Sequence, residues 1–359
     1  MAVIGAGGIA GFHASGVAAA NGATLAATCD LDAAKAKQLA ENNGAASWYT
    51  DIDELIKNEA LDAAIICTNH GSHHPLVLKC AEAGIHVLVE KPLSVKLSEA
   101  EDMVRVAREA NIHFGAVFQR RFQPAAERMK AAIDDGRIGP VTLLESFCYL
   151  DRDEAYYNIA DWRGTWAGEG GGVLMTQAIH MLDMAYWLAG KPVEVYGRWD
   201  TLKHSDYAEI EDTVVATVEF ESGALGTITA CTTLHPQFGF STVVRGRNGA
   251  SVGFVEEPEL SEARTNIWTL EDEPDPREPW EIAGEERPGM PKFHHVQIQE
   301  FVDAVIADRP PAVTGEQALV SLQMAKAVYL SQYRKAPVKL PLTSADIEEL
   351  ESKAERRQP

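Results

Sequence analysis

The chain has 359 residues, with 32 Lys plus Arg against 53 Asp plus Glu, a formal net charge of −21. Apolar residues make up 46% and charged residues 24%, near the globular average, which excludes a mostly disordered, collagen-like or coiled-coil chain. So acidic a surface repels phosphate backbones and anionic lipids, arguing against nucleic-acid and membrane-surface partners while allowing one anionic cofactor in a local pocket.

The length suits about two domains. The cysteines Cys29, Cys67, Cys80, Cys148 and Cys231 are widely spaced and include no C-x-x-C pair, so neither a disulfide framework nor a zinc site is indicated. No apolar run reaches the ~18 residues of a transmembrane helix. The N-terminus lacks the basic region of a signal peptide. These features predict a cytoplasmic protein.

Residues 1 to about 118 alternate short apolar strands with helical patterns. Met1–Ile4 reads as a strand running into glycines. Ile9 to Ala20 follows as a helix closed by Asn21-Gly22. Thr24–Cys29 is a strand and Asp32–Asn43 a helix. Thr50 is the expected cap of a short helix over Asp51–Asn58. Ala63–Cys67 is a buried strand. Pro75 sits in the first turn of a helix to Ala83, followed by the strand His86–Glu90. Ser98-x-x-Glu101 is a capping box opening a helix to Asn111. His113–Phe118 is one more strand. Such repeated units predict a parallel sheet covered on both faces.

Beyond residue 120 the pattern changes. Phe122–Asp135 is helical, Val141–Tyr149 a strand and Val173–Leu188 helical. The strands Val193–Trp199, Asp212–Phe220, Ala224–Thr232 and Ser241–Arg245 follow in a run, which predicts a mostly antiparallel sheet with helices on one face. Residues 255–290 read as a surface excursion. Phe293–Ile306 and Gln317–Gln332 are amphipathic helices. The predicted fold class is therefore α/β: a Rossmann dinucleotide-binding domain over 1–120, an α+β domain with a large open sheet over 121–342, and a charged tail helix over 343–359.

Gly5-Ala6-Gly7-Gly8-Ile9-Ala10 follows the first strand and opens the first helix. It matches G-x-G-x-x-G/A: the first glycine permits the tight turn, and the second lets pyrophosphate approach the backbone at a helix N-terminus. Asp30 ends the second strand, where a carboxylate accepts from both ribose hydroxyls and repels a 2′-phosphate. With no Arg or Lys at residues 31 to 34, NAD is favoured over NADP. Asp30-Leu31-Asp32 also suits a helix cap.

Glu90-Lys91-Pro92 ends the fifth strand, placing Lys91 where open α/β sheets bind ligands. A loop lysine paired with Glu90 is the plainer reading. The second cluster runs from Gly170-Gly171-Gly172 through Thr176 and His180 to Asp183. On one continuous helix those three side chains share a face, and the glycine run would let a ligand come close.

The G-x-G-G-I-A start, Glu90-Lys91-Pro92 and the G-G-G-x-L…H-x-x-D helix together resemble the Gfo/Idh/MocA family, over nearly the whole chain. The resemblance implies an NAD-dependent oxidoreductase moving hydride to or from a hydroxyl-bearing carbon of a sugar, anhydrosugar, cyclitol or glycoside. It also implies self-association, to a dimer or tetramer, through the open sheet. Lys91 would orient the substrate hydroxyl and steady the alkoxide, with His180 as general acid/base. Thr68, Asn69, His74, Glu90 and Gln119 match positions near the dinucleotide, beside Gly5, Gly7, Gly8 and Ile9.

One departure stands out. Many members carry Asp four residues before the histidine, where this chain has Thr176. Asp183 is then the remaining nearby carboxylate expected to orient His180, with a buried helix anchor as its other reading. Tyr156, Trp162 and Arg163 are expected to border the substrate, since aromatic faces stack on sugar rings and Arg donates to vicinal hydroxyls. Arg120 and Arg121 face either ligand or solvent. His73-His74 and His294-His295 lack partners at ligand spacing, so no metal is expected. His235 has nothing to position it. Two other functions fit the same motifs: an NAD-dependent glycosidase using transient oxidation, and a non-catalytic dinucleotide-binding regulator.

Overall fold

The computed structural model describes residues 1–257, 263–270, 274, 276–278 and 293–355. In the first segment the strands are β1 (Ala2–Ile4), β2 (Ala27–Cys29), β3 (Ser47–Tyr49), β4 (Ala63–Ile66), β5 (His86–Val89) and β6 (Phe114–Ala116). The helices between them are α1 (Ala10–Ala19), α2 (Ala33–Asn43), α3 (Ile52–Asn58), α4 (His73–Glu82) and α5 (Leu97–Glu109). The strands form one sheet in the order β3-β2-β1-β4-β5-β6, and every pair is parallel. This is the doubly wound order, whose direction reverses between β1 and β4.

Local chemistry moves several boundaries from their predicted places. Asp51, not Thr50, caps α3, its carboxylate accepting from the Asp53 and Glu54 amides at 2.7 and 3.1 Å. A charged acceptor suits a helix N-terminus better than a hydroxyl. The predicted capping box of Ser98 and Glu101 does not open α5. Instead Ser94 accepts from the Lys96 amide at 3.3 Å and donates to Glu99 at 2.5 Å. β3 is an edge strand with no fully buried residue, so it shows no apolar run in the sequence.

The chain continues through α6 (Pro124–Asp134), β7 (Val141–Tyr149), and the single turns α7 (Glu154–Tyr157), α8 (Trp166–Glu169) and α9 (Val173–Thr176), to α10 (Ile179–Ala189). Then come β8 (Pro192–Asp200), β9 (Thr213–Phe220), β10 (Leu225–Cys231), β11 (Gly239–Gly246), β12 (Ser251–Glu256) and β13 (Ala263–Trp268). The predicted excursion over 255–290 thus contains a strand, and most of the rest of it lies outside the described residues. After it stand α11 (Phe293–Ile306), α12 (Gly315–Arg334), β14 (Val338–Lys339) and α13 (Ser344–Glu355). The second sheet runs β13-β12-β11-β7-β10-β9-β8-β14, antiparallel except for the β7–β10 pair.

Two compact units result: Met1–Gln119 with Pro291–Leu319, and Arg120–Met290 with Val320–Pro359. The predicted assignment of α11 to the second domain is therefore corrected. Ile298, Phe301 and Val302 of α11 are buried in the same core as Val3, Val17, Ile65 and Leu88. A Cβ on Gly16 of α1 would stand 2.5 Å from the Ile298 side chain, so α11 packs at glycine-permitted distance. In the second unit, Val214, Ala216, Val218 and Phe220 of β9 are buried while Val215 and Glu219 point outward. Period-two alternation of this kind leaves one face exposed along β8, β9 and β10, whereas β11 and most of β12 are buried on both faces. Among the described residues, no helix is long and apolar enough to cross a membrane.

Candidate active site

In the first unit the nucleotide elements converge on the β1/β4 switch point. Gly5 has φ +106°, and a Cβ on it would lie 2.7 Å from the Cys67 carbonyl, so only glycine turns here. At Gly7 and Gly8 a Cβ would meet nothing within 4 Å. The loop backbone is thus open to a bulky ligand. Asp30 accepts from the Ala6 amide at 2.7 Å and from the Asp32 amide at 2.8 Å. It therefore fixes the glycine loop, and its other lone pairs remain for ribose hydroxyls. Asn69 caps the turn after β4, accepting from the Ser72 amide at 3.1 Å, and Ser72 donates to Thr68 at 2.7 Å. The Gln119 Oε1 is buried without a hydrogen-bond partner among the described residues. An acceptor held open this way suits an amide-bearing ligand. The residues present fit a nicotinamide dinucleotide.

His74 has another partner: its Nε2 lies 2.9 Å from Asp102 of α5. That bond and Arg105 hold the Asp102 carboxyl below its ordinary range. Its neighbour His73 is fully buried under the lysine turn, within 3.0 Å of the Pro92 carbonyl. Glu90 is buried too. Its Oε1 lies 2.8 Å from His13 Nε2 and its Oε2 accepts from the Lys91 amide at 3.0 Å. Burial raises the Glu90 carboxyl, but the His13 bond and the nearby cations outweigh it and hold it down to about 2.

In the second unit His180 stands in the first turn of α10, 3% exposed. The predicted continuous helix over 173–188 is broken. Gln177 has φ −123° and ψ −57°, and the Ala178 amide reaches back five residues to the Val173 carbonyl at 2.7 Å. Thr176 and His180 therefore do not stand one turn apart on a regular helix. The Thr176 hydroxyl donates to the Gly172 carbonyl at 2.9 Å, the back-bond that threonine makes in helices.

Asp183 does not orient His180. Its carboxylate accepts both arms of Arg121, at 2.8 and 2.6 Å, and lies 3.4 Å from Ser321. Burial pushes Asp183 up, and Arg121 offsets part of that. Arg120 likewise pairs with Glu256 at 2.9 and 2.7 Å, so neither arginine faces solvent. The glycine run serves packing rather than a ligand: a Cβ on Gly171 or Gly172 would stand 2.0 Å from the Tyr329 hydroxyl or 1.8 Å from the Glu211 carbonyl.

Glu211 is the residue that sequence reasoning missed. Fully buried, it accepts from the amides of Gly172 and Leu174 at 2.5 and 3.0 Å and from the Tyr329 hydroxyl at 2.9 Å. It thereby anchors the start of the segment that carries His180. Nothing local signals this, because its partners are 37 or more residues away. Burial raises its carboxyl to about 7.

The predicted substrate residues gather in one cluster. The Arg163 guanidinium lies 4.7 Å from the Tyr156 ring and 4.8 Å from the Trp162 ring, and donates to the Tyr156 hydroxyl at 2.8 Å. Tyr156 also lines an open cavity of about 360 Å³ with Asp151, Arg152 and Asp153. His235 does have a positioning partner, Asp151, at 2.7 Å. Among the described residues no three His, Cys, Asp or Glu side chains gather to hold a metal.

A glycine loop at the switch point of a doubly wound sheet, with a carboxylate closing the second strand, defines a nicotinamide dinucleotide-binding oxidoreductase scaffold. The chain belongs to the Gfo/Idh/MocA family. Residues 1–117 match the oxidoreductase family model for the NAD-binding Rossmann fold, and residues 126–252 match the GFO/IDH/MocA C-terminal domain. NAD is its cofactor. The chain is 28% identical to myo-inositol 2-dehydrogenase of Thermotoga maritima, over 95% of this chain and 98% of that one. It is 28% identical to 1,5-anhydro-D-fructose reductase of Ensifer adhaerens, over 91% and 94%. Among solved structures it resembles the WlbA dehydrogenase of Chromobacterium violaceum in complex with NADH and UDP-GlcNAcA. The TM-score there is 0.83 at 29% identity, over 95% of this chain and 96% of that one.

Proposed function

We propose that the protein is an NAD-dependent dehydrogenase acting on a hydroxyl-bearing carbon of a sugar, anhydrosugar, cyclitol or glycoside. The observation that carries this reading is the fixed turn that holds Lys91 at the carboxyl end of β5, in the unit that binds the dinucleotide. A regulator that only binds dinucleotide has no use for a lysine held this way. When bound, NAD supplies the nicotinamide carbon that takes up or gives the hydride. The Lys91 ammonium orients the substrate hydroxyl and stabilises negative charge on its oxygen. His180 takes the hydroxyl proton in the oxidising direction and returns it in the other. Tyr156, Trp162 and Arg163 offer two aromatic faces and a donor fork to a ring. The five free thiols, four of them buried, support a cytoplasmic setting. The exposed face of β8, β9 and β10 supports self-association.

A screen of NAD reduction over free sugars, inositols, anhydrosugars and glycosides tests the reading. One class is expected to give NADH in step with substrate consumed. Lys91→Ala and His180→Ala are each expected to lower kcat by about 10²–10⁴ while NAD still binds. Near-normal turnover in either folded variant removes that residue's role. Glycoside cleavage without net NADH would identify the glycosidase instead.

A further inference from the structure

Two buried histidines, on two different helices, converge on the turn that carries Lys91. His13 of α1 is fully buried, and its Nε2 lies 2.8 Å from Glu90 Oε1. Facing a carboxylate, that nitrogen carries the hydrogen and donates. The other ring nitrogen of His13 is buried with no hydrogen-bond partner among the described residues, so the Glu90 bond is what the polar side chain makes there. Glu90 passes the constraint on, because its second oxygen accepts from the Lys91 backbone amide at 3.0 Å. From the other side, His73 of α4 places Nδ1 3.0 Å from the Pro92 carbonyl and 3.2 Å from the Leu93 carbonyl. Amide and carbonyl groups on both sides of the Lys91 side chain are thus held by buried side chains. A turn with no regular ladder of its own otherwise samples several conformations. Four oxygen and nitrogen contacts at these distances select one.

We propose that His13 and His73 are positioning residues for Lys91, fixing the backbone of its turn through Glu90 on one side and the Pro92 and Leu93 carbonyls on the other. The proposal rests on the assignment of Lys91 to the reaction. It gives α1 a second task. The helix that starts at the nucleotide loop also holds, one turn further on, the acid that orients the lysine. It explains why a histidine stands at position 13, where an apolar residue would fill the core better. The groups within reach of the Glu90 charge include His13, Lys91, His73, Cys67 and His294, whose ring stands edge-on to that of His13 at 5.5 Å. His13 Nε2 donates to Oε1 and the Lys91 amide to Oε2, so loss of His13 frees Oε1 and loosens the carboxylate that holds the Lys91 amide.

The test uses side chains that keep or remove one donor. Gln places an amide NH₂ near the His Nε2 position, and Asn places one near Nδ1. The variants are therefore His13→Leu, His13→Gln, His73→Leu and His73→Asn, each made alone and in a Lys91→Met background. The first readout needs neither substrate nor cofactor: hydrogen exchange at the Lys91 amide and its neighbours. Exchange at Lys91 is expected to quicken about tenfold or more in His13→Leu and to return toward wild type in His13→Gln, with β4 unchanged. The second readout is kcat for NAD reduction, with whichever of myo-inositol, D-glucose and levoglucosan is turned over fastest, beside the Kd for NAD. Both Leu variants are expected to lose about tenfold or more in kcat, Gln and Asn to recover most of it, and the Kd for NAD to move less than about threefold. In the Lys91→Met background the same changes should cost less than about twofold more, because they act through the lysine. Unchanged Lys91 exchange in folded His13→Leu overturns the proposal, as does full multiplication of the losses with Lys91→Met. If the Leu variants do not fold, failure of Gln and Asn to hold wild-type exchange and kcat overturns it equally. Full turnover in Lys91→Met alone overturns the function assigned above, and this proposal with it.

Discussion

Asp183 and Thr176 show how residues near His180 in the sequence are taken up by support. Asp183 sits three residues after His180, yet its oxygens belong to Arg121. Removing one partner of a buried ion pair leaves the other charge uncompensated, at a cost of about 3–5 kcal/mol. Asp183→Asn is therefore expected to lower the melting temperature sharply, while Thr176→Val, which loses one back-bond of about 0.5–1.5 kcal/mol, lowers it little. Thermal melts of both decide it, and the reverse order would contradict these roles. Asp30 is the other informative residue. Its carboxylate already braces the Ala6 amide and no cation follows it before Lys35. The ratio of kcat/KM for NAD over NADP is expected to reach at least about tenfold, ~1.4 kcal/mol, and to shrink in Asp30→Ala. Equal use of NADP by the wild type would refute the ribose assignment.

The segment from the glycine run to α10 is an element held by a group outside itself. Glu211 accepts two amides at its start, and Lys326 donates to the Gly170 carbonyl at 2.9 Å. Burial raises the Glu211 carboxyl from 4.5 to about 7. An acid raised in the folded state favours folding most when protonated. Its stabilisation is whole below 4.5 and fades as pH rises through about 7, by roughly 3 kcal/mol at 1.36 per pH unit. Stability of the wild type should thus decline between pH 5 and 8 more steeply than that of Glu211→Gln. Denaturant titrations at both pH values measure the difference, and parallel slopes would remove Glu211 from this account.

At the scale of the whole molecule, β8, β9 and β10 of the second sheet leave one face exposed among the described residues. Val215 and Leu225 on that face are 56% and 58% exposed, and Tyr196 lies beside them. Self-pairing by two-fold contacts is the simplest way to cover such a face. Light scattering at micromolar concentration is expected to give a multiple of 39.1 kDa, and Val215→Lys to shift it toward the single chain. A uniform 39.1 kDa species for the wild type would contradict self-association.

The sequence alone determined what local pattern can carry. The glycine loop, Asp30, the β5 lysine and the alternation of the later strands are each set within a few residues, by turn geometry and side-chain periodicity. The strand Val141–Tyr149 falls at its predicted bounds for that reason. Tertiary structure decided everything that depends on partners far along the chain. It gave Asp183 to Arg121, 62 residues earlier, and Glu90 to His13, 77 residues earlier. It broke the helix before His180, where the glycines pack against Tyr329 and Glu211 and Glu211 takes the Gly172 and Leu174 amides. It also returned α11 to the first core, since an amphipathic stripe states that a helix buries one face but not against which sheet.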